Sequence, residues 1–540
     1  MNLHKKLLGS AVLGTMLVLA GCGGADDKAA VQSTASTGHI NIGNGAEPET
    51  LDPQKSSDVG SGNIIRQMFM GLTASDADGK TIPSAAESWE SADQKVWVFN
   101  IKQGLTWSNG EPLTAHDFVY AMQRLTDPKT GAPYGEYLVD AKVRNAKAVS
   151  LGKAQVDALG VKALDDHTLQ ITLDEAVPYL PDLMLLPVTY AVPKSVIEKH
   201  GDKWIEPANI VVSGAYKLKE WMVNSHLTLE RNTAYHDNAN TKIETVSFLP
   251  IQGANEINRY KAGELDITAG IPPEQFAKIK SEHPNEVGTT PRLCSFYIEY
   301  NMNKPQFSDP KVRQALTMLV NRDTITQQIL GRGEISSYQF TPEIINGMKR
   351  IDPIWASLDA KGRTEQAMKL LSEAGYSTSK PLQFELLYST SESAKRLTTA
   401  IASMMKQQSD GVVDVSTINQ EWKTSLDTRR QGKFDSALAG WCADYNEPSS
   451  FYNMLRTNNG NNTGKYQSAV FDQVLDKTLM VANDEERKQL YYEAESILQK
   501  DNPGIFLYVS VYNRLVKNNI NADSLADPLN GWLVKDWSVK

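Results

Sequence analysis

The sequence predicts an α/β protein of two or three domains. Short strand-like runs alternate with amphipathic helical stretches along most of the chain. The body beyond residue 38 is about 500 residues long, more than one ordinary core can serve. No segment repeats with a period of 20 to 50 residues, which argues against solenoids and propellers.

Strands are expected at 39–42, 96–101, 169–173, 227–229, 245–249, 382–387 and 505–511, each a short run rich in β-branched, aromatic or aliphatic residues. Helices are clearest where capping residues mark their ends. Thr114 is a candidate N-cap for a helix over 118–125, with Asp117 near its positive end. Asp309 and Pro310 open a helix over 311–320, the proline at a first-turn position. A periodic helix over 485–499 stops at Asp501-Asn502-Pro503.

With 41% hydrophobic and 22% charged residues, the composition is that of a globular body. A net charge of −9 without long like-charge blocks argues against nucleic acid or an anionic membrane surface as the main partner. Twenty tyrosines and ten tryptophans suffice to line a binding site as well as a core.

The first 22 residues read as a lipoprotein signal peptide. Lys5 and Lys6 precede an apolar run over 7–19, and Leu19-Ala20-Gly21-Cys22 closes it. The run is shorter than the roughly 20 residues a spanning helix needs. Cleavage before Cys22 and its lipidation would anchor an extracytoplasmic protein to a membrane. Residues 23–38, rich in Gly, Ala, Ser and Asp, read as a flexible tether. Cys294 and Cys442 remain, an even pair in an oxidising compartment; a disulfide is expected, with two buried thiols as the alternative.

Catalytic signatures are missing. The eight histidines are scattered without a zinc-binding spacing, and neither a nucleophile elbow nor a glycine-rich phosphate loop occurs. His116 beside Asp117 is the best acid–base pair on paper, and it sits where a helix begins. A binding protein with no cofactor and no metal is therefore expected. The run Ala439-Gly440-Trp441-Cys442-Ala443-Asp444-Tyr445-Asn446-Glu447-Pro448 places one carboxylate among small and aromatic residues, as a cleft that receives an amine would.

Several motifs carry a resemblance. Ala85-Ala86-Glu87-Ser88-Trp89 is followed by the long run from Val96 through Trp107-Ser108-Asn109-Gly110 to Tyr120. Ser213-Gly214-Ala215-Tyr216, Phe307-Ser308-Asp309-Pro310 with Asn321-Arg322, and the run ending at Pro448 come after it. In this order they resemble the peptide-binding solute receptors, the extracytoplasmic components of oligopeptide, dipeptide and nickel ABC importers. Trp422, Arg429 and the Asp444 run point within that family to oligopeptide and murein-tripeptide receptors.

The resemblance implies a two-lobed periplasmic-binding-protein fold of the peptide-binding subclass, with a third domain inserted in the first lobe. The first lobe would hold 39–69, 194–292 and 512–540, the insertion 70–193, and the second lobe 293–511. It also implies a monomer that works with an ABC permease and its cytoplasmic ATPases. By the same resemblance Asp444 receives the peptide's α-ammonium, and Val59, Gly440 and Cys442 supply backbone hydrogen bonds. Tyr134, Trp422, Trp441 and Tyr297 line side-chain pockets, and Arg429 pairs with a ligand carboxylate.

Departures from the family pattern bear on the ligand. Leu438 stands where an arginine is common and Ala394 where a histidine is common, both being cations that receive peptide C-termini. Ala269 and Ser510 replace common aromatic residues. These changes favour a murein tripeptide, whose γ-linked D-glutamate displaces a carboxylate, with ordinary oligopeptides as the alternative. A periplasmic peptidase or a chaperone-like lipoprotein is the competing class.

Overall fold

The computed structural model describes residues 38–540 apart from 458 and 482. The signal peptide, Cys22 and almost all of the tether lie outside the described residues. No described helix is long and apolar enough to cross a membrane.

Three sheets organise the chain. In the first, His39–Gly43 pairs in parallel with Thr245–Leu249, which continues antiparallel through His226–Arg231 to Tyr216–Met222. The second is wholly antiparallel and runs Ala86–Glu90, Val96–Ile101, Thr168–Thr172, Val161–Asp165. The third has six strands in the order Ile335–Ser336, Gly504–Leu515, Val287–Tyr300, Ser436–Cys442, Leu382–Ser389, Val413–Gln420. Its first four strands pair antiparallel and its last two join in parallel, as expected where helices provide the crossovers.

Strands at 96–101 and 245–249 form where the sequence places them. The helix Ala115–Thr126 begins as expected, with the Asp117 carboxylate accepting the Thr114 backbone N–H at 2.8 Å. Asp309 caps Pro310–Met318 by accepting the Lys311 N–H at 2.8 Å. Asn483 caps Asp484–Asp501, which ends on Asn502 in the left-handed conformation (φ 47°).

Two long strands depart from expectation: Val287–Tyr300 is not among the strands expected, and Gly504–Leu515 outruns the 505–511 expected. Val287–Tyr300 and Gly504–Leu515 run side by side out of the six-stranded sheet, and their register shifts between Pro291 and Ser295. At their far end the Leu515 N–H donates to Thr268 Oγ1 at 2.9 Å and Thr268 N–H to the Leu515 carbonyl at 3.0 Å. Ile267 in turn accepts the Gly43 N–H at 2.8 Å, so backbone hydrogen bonds connect this pair to the edge of the first sheet.

Packing follows the strand alternation. Ile298 joins the core beneath one face of the six-stranded sheet, with Leu316, Leu386 and Leu507. Tyr297, one residue away, joins Phe340, Phe471 and Leu498 on the other face. A separate core that includes Ile40, Phe99, Leu169 and Phe248 unites the first two sheets.

Candidate functional site

The loop after Ser436–Cys442 carries Asp444 and is held from every side. Cys442 lies opposite Cys294 in the strand register, and a disulfide joins them two residues before Asp444. Ala443 N–H donates to the Leu293 carbonyl at 2.8 Å, and Asp444 N–H to Ser450 Oγ at 3.2 Å. Tyr445 stacks on Tyr179, ring centroids 5.4 Å apart. The Asn446 amide donates to the Gly79 carbonyl at 2.9 Å and accepts the Asn346 N–H at 2.8 Å. Glu447, fully buried, accepts from Ser449 N–H at 2.7 Å, Tyr491 Oη at 2.7 Å and Arg487 Nε at 3.2 Å. A loop with its backbone and flanking side chains committed in this way presents one carboxylate in a fixed position.

That carboxylate faces a cavity of about 550 Å³ lined by Tyr134, Tyr137, Asp140, Tyr179, Trp441 and Asn453, among others. Trp441 is fixed there by an indole N–H bond to the Ser450 carbonyl at 2.6 Å. Burial, and then the Asp140 charge, raises the Asp444 pKa above the usual carboxylate range. Burial also raises the Tyr134 phenol, with the Asp444 charge adding to it. Asp444 makes no ion pair among the described residues, so the molecule holds a partly desolvated carboxylate without its cation. Glu136, Asp140, Glu175 and Asp476 share the lining with Lys142 and Arg456, and Arg456 is paired with Asp476 at 2.7 Å. The cavity is acidic and suits a cationic group.

Two smaller cavities continue from it. One, of about 120 Å³, contains Asp444 with Arg66, Tyr190 and Leu529; the other, of about 150 Å³, contains Val59, Tyr134 and again Arg66 and Leu529. Shared residues thus link Asp444, Tyr134, Trp441 and Val59 along one cleft.

The remaining sequence candidates fall differently. Val59 is 66% exposed and opens the helix Val59–Met68 rather than forming a strand edge. Its N–H is free of intrahelical bonding, whereas its carbonyl lies within the helix. Gly440 pairs with Phe296, whose ring would meet a Cβ at 2.9 Å, so only glycine fits without displacing that ring. Tyr297 is 4% exposed and packs edge-on against Phe340 in the core; it lines none of these cavities, though its hydroxyl donates to the sulfur of Met454, which does, at 3.5 Å. Trp422, 58% exposed, starts the helix Trp422–Arg430 and lines none of these cavities. Arg429 is buried with Glu299, Nε to Oε2 3.0 Å, and Glu299 also accepts Thr463 Oγ1 at 2.6 Å and the Gly464 N–H at 2.8 Å. A ligand carboxylate would have to compete with Glu299 for this arginine. Leu438 pairs with Ile298 in the sheet and Ala394 sits in the first turn of Glu392–Gln408. Ala269 donates its N–H to Glu256 at 2.6 Å, and the Ser510 hydroxyl is buried without a partner among the described residues.

Sequence reasoning missed Asp140 and Arg66. Both are single charges on helices otherwise committed to packing. Arg66 follows Val59 and Gly62 at positions i+7 and i+4, one helical face, which is the signal that could have found it. Among the described residues no group of His, Cys, Asp and Glu is arranged to hold a metal ion.

A tied-down loop that presents a carboxylate to a roomy cavity has the make-up of a ligand-binding site. The family model described as bacterial extracellular solute-binding proteins, family 5 Middle, matches residues 80–463, and the chain belongs to that family. The periplasmic oligopeptide-binding protein OppA of Salmonella typhimurium is 45% identical over 99% of this chain and 98% of its own length. Among solved structures, the murein tripeptide-binding protein MppA in an unliganded open form matches with TM-score 0.87 and 36% identity, covering 94% of this chain and 98% of that one. Haemophilus influenzae OppA in complex with RPPGFSPFR matches with TM-score 0.73 and 40% identity, covering 93% and 99%. The backbone is thus arranged more like the unliganded open structure than like this peptide complex.

Proposed function

We propose that this protein is the peptide-capturing receptor of an ABC importer, and that Asp444 anchors the peptide's α-ammonium. One observation carries the reading: the Asp444 loop is tied down by a disulfide and a buried ion pair, yet its carboxylate has no paired cation among the described residues. Relatives named as oligopeptide- and murein tripeptide-binding proteins over nearly the whole chain support the ligand class.

In this reading the first sheet with 39–69, 194–292 and 512–540 forms one lobe, 293–511 forms the other, and 70–193 is inserted in the first. The long strand pair is the hinge. A peptide touching both lobes favours the closed form by its differential affinity. The higher similarity to an open, unliganded relative supports an unclosed cleft here. The permease and its ATPases act as partners to a monomer, and the protein binds its ligand without chemical change. The signal peptide directs export, and a lipid on Cys22 anchors the protein to a membrane outside the cytoplasm.

Two peptide classes remain in view. The substitutions at Leu438 and Ala394 favour the murein tripeptide, and the 45% identity to an oligopeptide receptor favours ordinary peptides. Isothermal titration of the delipidated, ligand-stripped protein with the murein tripeptide and with tri- to pentapeptides separates them. Tight binding of either class supports a peptide receptor and says which kind; binding of neither removes the proposal. Mass spectrometry of the recovered ligand checks that it is returned intact.

A further inference from the structure

We infer that Arg66 forms a carboxylate subsite beside the ammonium anchor, so that the cleft reads a carboxylate carried on the first or second residue of its ligand. The inference rests on the peptide-receptor reading and adds to it a residue that selects among peptides.

Arg66 lies in the helix Val59–Met68, half-buried, and lines both small cavities of the cleft, sharing one with Asp444 and the other with Val59 and Tyr134. Among the described residues lining these two cavities it is the one cation. No described carboxylate comes within 4.0 Å of its guanidinium nitrogens. Its guanidinium hydrogen-bonds to the buried Tyr190 hydroxyl and, at longer range, faces the Asp527 charge. Both have further partners as well. Tyr190 Oη donates to the Leu185 carbonyl at 3.1 Å, and Asp527 accepts from Ser75 Oγ at 2.6 Å, Leu529 N–H at 2.8 Å and Gly531 N–H at 2.9 Å.

Room has been left for the guanidinium. Gly62 lies one turn back on the same face, and a Cβ there would stand 3.2 Å from Arg66 Nη1, so glycine lets the fork lie along the helix. Asp58, the one acid among the described residues lining the Val59 cavity, is occupied in capping that helix by accepting the Ser61 N–H at 2.8 Å. A partly desolvated arginine whose fork meets a tyrosine hydroxyl and no carboxylate within 4.0 Å among the described residues is suited to bidentate recognition of a carboxylate. Its place in the same small cavity as Asp444 sets where that carboxylate must be: near the ligand's amino end. An α-carboxylate displaced by a γ-linkage and a glutamate side chain at the second position both meet that demand. Arg429, already held by Glu299, is less available for either.

The test is a titration of wild type, Arg66→Gln and Arg66→Lys with trialanine, alanyl-glutamyl-alanine, and the isomer in which glutamate is linked through its γ-carboxyl. Arg66→Gln is expected to weaken at least one glutamate peptide by about tenfold or more while changing trialanine by less than about threefold. Arg66→Lys should recover part of the loss, and the isomer that loses more identifies the source of the carboxylate. Retained trialanine binding shows that the variant is folded. Equal losses for all three peptides would mean that Arg66 supports the groove or latches onto Asp444 on closure, and no loss would leave it without a ligand role; either result overturns the inference. If no peptide binds the wild type, the receptor reading itself fails, and this inference falls with it.

Discussion

Replacing Asp444 with asparagine keeps the shape of the loop and removes its charge. A charge-assisted hydrogen bond to an ammonium in a closed cleft is worth about 1.5–3 kcal/mol. At about 1.4 kcal/mol per factor of ten, Asp444→Asn should weaken peptide binding about 10- to 140-fold. Acetylating the ligand's amino group removes the same interaction from the other side, so the variant should bind acetylated peptide as the wild type does. Binding requires the carboxylate ionised. Because burial and the Asp140 charge raise the Asp444 pKa, affinity should begin to fall on acidification at a higher pH than an ordinary aspartate would give. Asp140→Asn removes one of these causes and should move the fall to lower pH. Titration calorimetry across pH with free and acetylated trialanine measures both effects. Undiminished affinity in Asp444→Asn, or an equal loss for free and acetylated peptide, would refute the assignment.

Three further outcomes follow from the packing. The Cys294–Cys442 disulfide closes a loop of 148 residues, which in the loop-entropy picture stabilises by about 5 kcal/mol; a Cys294→Ala, Cys442→Ala variant should unfold at lower denaturant and bind peptide less tightly. Arg429→Met leaves Glu299 buried without its cation and should cost about 3–5 kcal/mol in urea unfolding, with Glu299→Gln in the same chain recovering much of it. Burial pushes Glu495 from 4.5 up to about 7, where it accepts from the Phe340 N–H at 3.0 Å and Tyr452 Oη at 2.9 Å. The folded state therefore keeps a proton that the unfolded chain loses between about pH 4.5 and 7, and stability falls across that window by about 1.4 kcal/mol per unit. Glu495→Gln should flatten the fall, as followed by urea unfolding at pH 5 and pH 7.

What the sequence reveals depends on how local each signal is. Val96–Ile101 and Thr245–Leu249 are legible because short clusters of β-branched and aromatic residues dominate them. Val287–Tyr300 is not, because Gly288, Pro291 and Arg292 break its pattern and its pairing with Gly504–Leu515 is long-range. Asp444 stands out because its surroundings are unusual in composition. Tyr297 shows the limit of motif reasoning: strand alternation decides between core and cleft, and its neighbour in space, Phe340, is 43 residues away in sequence. Arg429 reads as a pocket arginine for a ligand carboxylate, and its partner Glu299 is not foreseeable because it lies 130 residues before it. Arg66 escaped notice because its spacing from Val59 and Gly62 gains meaning only from the cavities that this helical face lines.

The most direct measurement is a crystal structure of the ligand-stripped protein grown with a tight-binding peptide. The peptide is expected in the cleft with its α-ammonium about 3 Å from the Asp444 carboxylate, and the backbone should then match the Haemophilus influenzae peptide complex better than the open MppA structure. A peptide bound elsewhere, or one whose ammonium faces solvent in an unclosed cleft, would contradict the assignment of Asp444 as the anchor that closure buries.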